Sequence, residues 1–571
     1  MKRTKRMFCL LLAAALVACC APRDARAAEP EETTTSIVEE TTAQEATEQE
    51  TTEQETTEPE TTEQETTEPE TTEPETTEPE TTEPETTEPE AAPEAAPQAI
   101  DYTKADARVY PVIEMQGSHS PLYFNEGKAD QVIAFEGGAE MMKRALYPIL
   151  GDLITAGAML DWNGVSDALV RWFWAWWGEI RINPDGTDVN PGLTRINDNG
   201  VMYGNMCHFY FDWRRDAQTL AGELDQYIDQ IRAKTHAPRV NVIATSGSGP
   251  ALLAYLHYYG TEKLSSAMFN QTLHNGSGIV GELAQRKLHL TPRMMSGDVL
   301  KMGEEFPDQL GGLTAILDAL YQMGVLDVVS KFLALGSKLG VDRVYDDAVA
   351  PLMFTLPYLW DFCPVEYYES AKALMFRGNP VYAPVIARAD KFKYEVQARA
   401  DEVVKEAAKR IKVAIRVGYN IPTVLGNTNE QSDRLIETSL ASFGSVGSEV
   451  GLRLPWWYRQ KVSSARNYLS PDRMIDASAC GLPDATWFSK NQYHQMETNY
   501  SGWYQWWLGA EEATVFGNPD YPQYSEMLKT GEYVPLPPAA PITLKEKLND
   551  LWLYFLAFWR KVLNLPMQWI E

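Results

Sequence analysis

Past residue 100, apolar positions follow two rhythms: short β-branched runs, and longer stretches with apolar residues three and four apart. The runs Val109–Met115, Met206–Arg214, Val240–Ala244, Leu264–Leu273 and Val413–Gly418 read as strands. Between the second and third, Ala217, Leu220, Ala221, Leu224, Tyr227, Ile228 and Ile231 mark one face of a helix. Strand, helix, strand predicts a βαβ unit and hence a parallel sheet. The third run passes through a cluster of small residues, Ala244-Thr-Ser246-Gly-Ser248-Gly, into the apolar helical pattern Pro250–Leu256. That predicts a strand, a turn too tight for large side chains, then a helix closed by Gly260. Residues 280–405 are mostly helical in pattern, with no convincing strand. Leu169–Trp177 packs five aromatics into six residues, fitting either a buried helix or an apolar lip.

The ends of the chain obey other rules. Lys2, Arg3, Lys5 and Arg6 precede an apolar segment, Phe8–Ala18, too short to span a bilayer, which reads as a bacterial export signal. Two endings compete: a small-x-small cleavage site at Ala25-Arg26-Ala27, and a lipobox, Leu16-Val17-Ala18-Cys19, that would leave Cys19 lipidated. Residues 29–98 contain 25 glutamates, no lysine or arginine, and the repeated unit Thr-Thr-Glu-Pro/Gln-Glu. With proline every few residues, one-signed charge and little to bury, this stretch is expected to be an extended, disordered spacer. It carries most of the net charge of −30 and leaves −10 from Ala99 on, so no nucleic-acid partner is expected. At the other end, Pro535–Pro541 precedes an amphipathic pattern, Leu544, Leu548, Leu551, Phe555, Phe558 and Val562, with Trp552 and Trp559. It is too short to cross a membrane. It could dock on the domain, pair with another chain or lie in a bilayer interface.

The chemistry follows from the turn. A serine on a strand–turn–helix corner is the nucleophile elbow of α/β-hydrolases, whose triad runs Ser, acid, His along the chain. Only His257, His274, His289 and His494 follow Ser246. The first lies within the elbow helix, the next two precede the strand that leads to the acid, and His494 sits on a late loop where the base belongs. Asp433, after the Val413–Gly418 strand, is the candidate acid, with Asp472 and Asp476 as fallbacks. Gly117-Ser118-His119 follows the first strand, so the N–H groups of Ser118 and Gly247 are the expected oxyanion hole. Ala244 and Ser248 stand where the elbow pattern has glycine, and Ser248 is a rival nucleophile. Cys207, Cys363 and Cys480 allow at most one disulfide and leave at least one thiol. Cys207-His208 is a poor ligand pair, so no metal site is expected.

Tyr210-Phe-Asp212-Trp213-Arg214 before an amphipathic helix, then the serine elbow, resembles the lecithin:cholesterol acyltransferase-like lipase family and the secreted α/β-hydrolases of Gram-positive bacteria related to it. Leu359-Trp360 to Tyr368, Ser432-Asp433 with Ser442-Phe-Gly444, and Ser470–Ser478 followed by Trp487-Phe488 and His494 carry the likeness further. The resemblance spans about residues 101–534. It implies an α/β-hydrolase fold: a mostly parallel sheet with helices on both faces, interrupted by a helical cap at 280–405 between core segments 99–279 and 406–534. It also implies acyl-ester chemistry with Ser246 as nucleophile, Asp433 as acid and His494 as base; the aromatic cap and tail point to a lipid-like ester, and the chemistry needs no metal or organic cofactor. The competing expectation is an inactive hydrolase scaffold that serves as a surface binding protein. Membrane-surface contact is expected through the C-terminal helix or a lipidated Cys19.

Overall fold

The computed structural model describes residues 110–115, 121–135, 145, 147–159, 161–196, 200–287, 341–423, 430–494, 501–528, 530–552 and 554–555. The export signal, the Thr/Glu/Pro repeat and residues 288–340 lie outside them. The main sheet has eight strands: β1 Val112–Met115, β2 Met206–Phe209, β3 Val240–Thr245, β4 Leu264–Asn270, β5 Lys412–Tyr419, β6 Thr486–Lys490, β7 Tyr524–Met527 and β8 Tyr533–Pro535. In space they run β8-β7-β6-β5-β4-β3-β1-β2. Every neighbouring pair is parallel except β7 with β8, which closes the edge antiparallel. Several strands stop earlier than the apolar runs imply; β2 ends at Phe209 and β4 at Asn270, where the chain leaves the sheet for loops.

Alternate residues of the strands face opposite layers. Ile113, Val242, Ala244, Ala267, Phe269, Val413 and Ile415 join one core cluster, with helices α2 (Ala217–Thr235), α3 (Gly249–Tyr258) and α5 (Ala400–Ala408). Their neighbours Val112, Ile243, Met268, Ala414 and Trp487 join a second cluster with Trp503, Trp507 and Leu508 of α6 (Ser501–Gly509). The chain is therefore an α/β protein with helices on both faces of a mostly parallel sheet. In α2 the buried residues are those of the apolar stripe plus none from the polar side. Asp216 caps its start by accepting the N–H of Thr219 at 2.9 Å, and His236 ends it in the left-handed region at φ 58°.

The described part of 341–408 is helical, including α4 (Val365–Met375), and builds its own aromatic cluster around Phe354, Trp360 and Tyr368. That cluster packs on Leu169, Val170 and Phe173 of α1 (Trp162–Trp177). The aromatic run of α1 divides: Trp172 and Trp177 are buried, whereas Trp174 is 41% exposed and donates its indole N–H to the Asp347 carbonyl at 2.8 Å. A buried lysine, Lys393, stitches the helical segment together by donating to the carbonyls of Trp360, at 3.1 Å, and Cys363, and to the Gln397 side chain. Gln397 in turn donates to the carbonyls of Asp361 and His274, the latter on the loop after β4. Burial of an ammonium is tolerated only when its protons are all satisfied, as they are here.

Candidate active site

Parallel strands present their carboxyl ends together, and loops leaving those ends meet there. The loop after β3 turns at Ser246, which holds φ 56°. An L-residue other than Asn or Asp adopts that backbone at a cost of order 1 kcal/mol or more. A one-turn 3₁₀ segment, Ser246–Ser248, then leads directly into α3. Leu273 N–H, from the loop after β4, donates to the Ser246 carbonyl at 3.0 Å and fixes the corner from the neighbouring strand.

The two departures from glycine are both accommodated. Ala244 is fully buried, in register with Met115 of β1 on one side and Phe269 of β4 on the other. Ser248 is fully buried as well. Its hydroxyl accepts the N–H of Thr245 at 2.8 Å, donates to the Thr245 carbonyl at 2.8 Å, and lies 3.4 Å from the carbonyl of Met115. The rival nucleophile is thus committed to bracing the turn. The close helix approach that a glycine provides has moved one place along. A Cβ at Gly249 would sit 2.5 Å from Thr272 Cβ.

Ser246 Oγ lies 2.9 Å from Nε2 of His494, and Nδ1 of His494 lies 2.8 Å from Oδ2 of Asp433. Asp433 arrives on the loop after β5 and His494 on the loop after β6, the strand paired with β5. Their backbones are joined too: His494 N–H donates to the Asp433 carbonyl at 2.7 Å. The second carboxylate oxygen of Asp433 accepts the N–H groups of Leu435, at 3.0 Å, and Ile436, at 2.8 Å. All three side chains are nearly shut off from solvent; those of His494 and Asp433 are 7% and 2% exposed, and Ser246 is 4% exposed. A carboxylate so held fixes which imidazole nitrogen carries the proton and leaves the other facing the serine.

The fallback acids are occupied elsewhere. Asp472 accepts the Tyr419 hydroxyl at 3.0 Å and pairs with Lys490 at 3.2 Å. Asp476 accepts the Tyr458 hydroxyl and two backbone N–H groups. His274 lies fully buried against Phe443, with rings 3.7 Å apart and Nδ1 2.7 Å from the Thr272 hydroxyl; burial pushes its pKa down to about 3. Gly247 follows Ser246 at the turn and is buried with it, whereas Ser118 lies outside the described residues, as does His119. Among the described residues no cluster of three His, Cys, Asp or Glu is arranged to hold a metal ion.

No protein-family model matches this chain, and no curated protein matches it. Its functional reading rests on the residues themselves.

Two supporting residues escape sequence reasoning. At Gly418, near the end of β5, a Cβ would sit 2.4 Å from the Gln492 carbonyl and 2.8 Å from Asp433 Cβ, so only glycine lets the acid and base loops close over the strand. A glycine at the end of a strand is the one available signal. Gln271, buried, donates to the Tyr493 carbonyl at 3.1 Å and props the residue before His494. Polar loop residues of this kind carry no pattern of their own.

Proposed function

We propose that the chain is an exported serine acylhydrolase or acyltransferase that acts on an ester, lipid-like in class, with Ser246 as nucleophile, His494 as base and Asp433 as acid. The observation that carries the reading is the unbroken hydrogen-bond chain from Ser246 Oγ through His494 to Asp433, starting from a serine at positive φ. The order Ser, Asp, His along the chain, and the pairing of β1 beside β3, support an α/β-hydrolase fold. β1 ends at Met115, paired with Ala244 of the elbow strand, and Ser118 follows three residues later in the sequence. Residues 280–405 are then the helical cap of that fold.

In this reading His494 Nε2 takes the hydroxyl proton as Ser246 Oγ attacks the ester carbonyl. The N–H groups of Gly247 and Ser118 hold the oxyanion, each worth about 10²–10³ in rate. The tetrahedral intermediate collapses as His494 returns the proton to the departing alcohol, leaving an acyl-serine. Water, or a second alcohol, repeats the sequence in reverse and releases acid or a new ester. Asp433 keeps Nδ1 protonated and stabilises the imidazolium at each stage.

The alternative, a binding protein on an inactive scaffold, drew its force from Ala244 and Ser248. Ser248 braces the turn and Ala244 is buried in the sheet, which supports the enzyme reading over it. A fluorophosphonate probe separates the two: labelling of the wild type at Ser246, lost in Ser246→Ala and retained in Ser248→Ala, is expected. Absence of labelling in the folded wild type would sink the enzyme reading.

A further inference from the structure

The C-terminal helix sits on the domain the wrong way round for an ordinary amphipathic helix. It starts with a capping box, Thr543 and Glu546, and is helical over residues 544–552, with 554 and 555 helical as well. The side turned to the domain is polar: Asp550, almost fully buried, and Glu546 accept from Arg453 at 2.9 and 3.4 Å, and the Tyr554 hydroxyl donates to the Arg453 carbonyl at 3.1 Å. The apolar stripe faces outward. Leu544 is 73% exposed, Leu548 58%, Leu551 50%, Trp552 57% and Phe555 50%.

The stripe continues onto the domain. Lys547 stands one turn from both Leu544 and Leu551, and its ammonium lies 5.0 Å over the ring of Trp456. Trp457 meets Tyr554 with ring centroids 6.1 Å apart. Trp456, Trp457 and Val462 are 40%, 42% and 50% exposed. Around them the exposed charge is basic: Arg459, Lys461 and Lys545 face solvent, whereas Arg453 and Arg466 are paired with Asp550 and Asp484.

We propose that this surface, the outward stripe of the helix with the Trp456–Trp457 loop, docks on a lipid bilayer that contains anionic lipid. Leucine and phenylalanine enter the acyl boundary, tryptophans sit at headgroup level, and lysine and arginine meet lipid phosphate. A second copy fits less well, because a twofold interface sets each patch against itself and would oppose like charges. The spacing of the stripe runs on in sequence to Phe558 and Val562, flanked by Arg560 and Lys561. The proposal does not depend on Ser246 being active.

The test is co-sedimentation of the full chain, carrying Ser246→Ala with Cys19→Ser and Cys20→Ser to remove hydrolysis and any N-terminal lipid. Vesicles are phosphatidylcholine alone or equimolar phosphatidylcholine and phosphatidylglycerol. Binding to the anionic vesicles, weakened by salt, is expected. Leu548→Glu with Leu551→Glu, both exposed and so harmless to folding, should lower it at least about tenfold. Arg459→Glu with Lys461→Glu should lower it severalfold with the apolar stripe intact. No binding, or binding indifferent to both pairs, overturns the proposal. So does a dimer in lipid-free sedimentation that Leu548→Glu with Leu551→Glu dissolves.

Discussion

Ser246, His494 and Asp433 are joined by single hydrogen bonds, so single-atom changes test the role proposed for them. Asp433→Asn keeps the shape and the acceptor for the Leu435 and Ile436 N–H groups, but turns an amide toward His494 Nδ1. It should fold normally and lose about 10⁴ in acyl-transfer rate, read as the pseudo-first-order rate of fluorophosphonate labelling. Ser248→Ala removes only the brace between Thr245 and the turn. Its expected signature is a loss of about 1 kcal/mol in urea unfolding with labelling retained. Glu437, four residues beyond Asp433, is buried and accepts the Gly278 N–H at 3.0 Å. Burial pushes its pKa from 4.5 up to about 7, with Glu430 and Asp433 adding to the rise. The folded state therefore binds this proton more tightly than the unfolded one. The stability it contributes is full below pH 4.5 and is lost as pH rises through 7. Glu437→Gln should then be more stable than the wild type above pH 7, by up to roughly 3 kcal/mol, and no more stable at pH 4. Urea midpoints at the two pH values check this.

Elements show where the sequence speaks and where it falls silent. Helix α2 is legible because apolar residues at spacings of three and four have one physical use, and all seven are buried. The corner at Ser246 is legible because a β-branched run cannot pass into an apolar helix through small residues without a sharp turn. Asp433 could be ranked above Asp472 and Asp476 only by its place after a strand; what settles its position is the pairing of β5 with β6, which is tertiary. Gly418 leaves only the weak mark of a glycine near a strand end, since the near approach of two loops is tertiary as well. Gly418→Ala should therefore cut labelling sharply and destabilise the chain by about 1–3 kcal/mol in chemical unfolding, because the atoms it meets are backbone and a packed Cβ. The C-terminal helix teaches the opposite lesson. Its amphipathicity was plain, but the pattern does not say which side docks, and a single arginine, Arg453, selects the polar one.

At the scale of the molecule, cohesion among the described residues comes from the sheet and its two apolar layers, with no disulfide among them. Cys207, Cys363 and Cys480 are all buried and outside any disulfide, and burial pushes the Cys363 thiol up to about 11 and raises that of Cys480 as well. Thiols held protonated react slowly. Alkylation mapped by mass spectrometry should reach these three only after denaturation, and reductant should leave the melting temperature unchanged. The triad has a further consequence, one of timing. Its serine and histidine are 248 residues apart in the chain, and β4 and β5 lie between the strands, β3 and β6, that lead to them. Contacts of such long range form late. A nascent chain carries the Ser246 corner long before it carries His494, so in the proposed reading reactivity waits until β6 has joined the sheet. During refolding, tryptophan fluorescence should recover ahead of probe labelling.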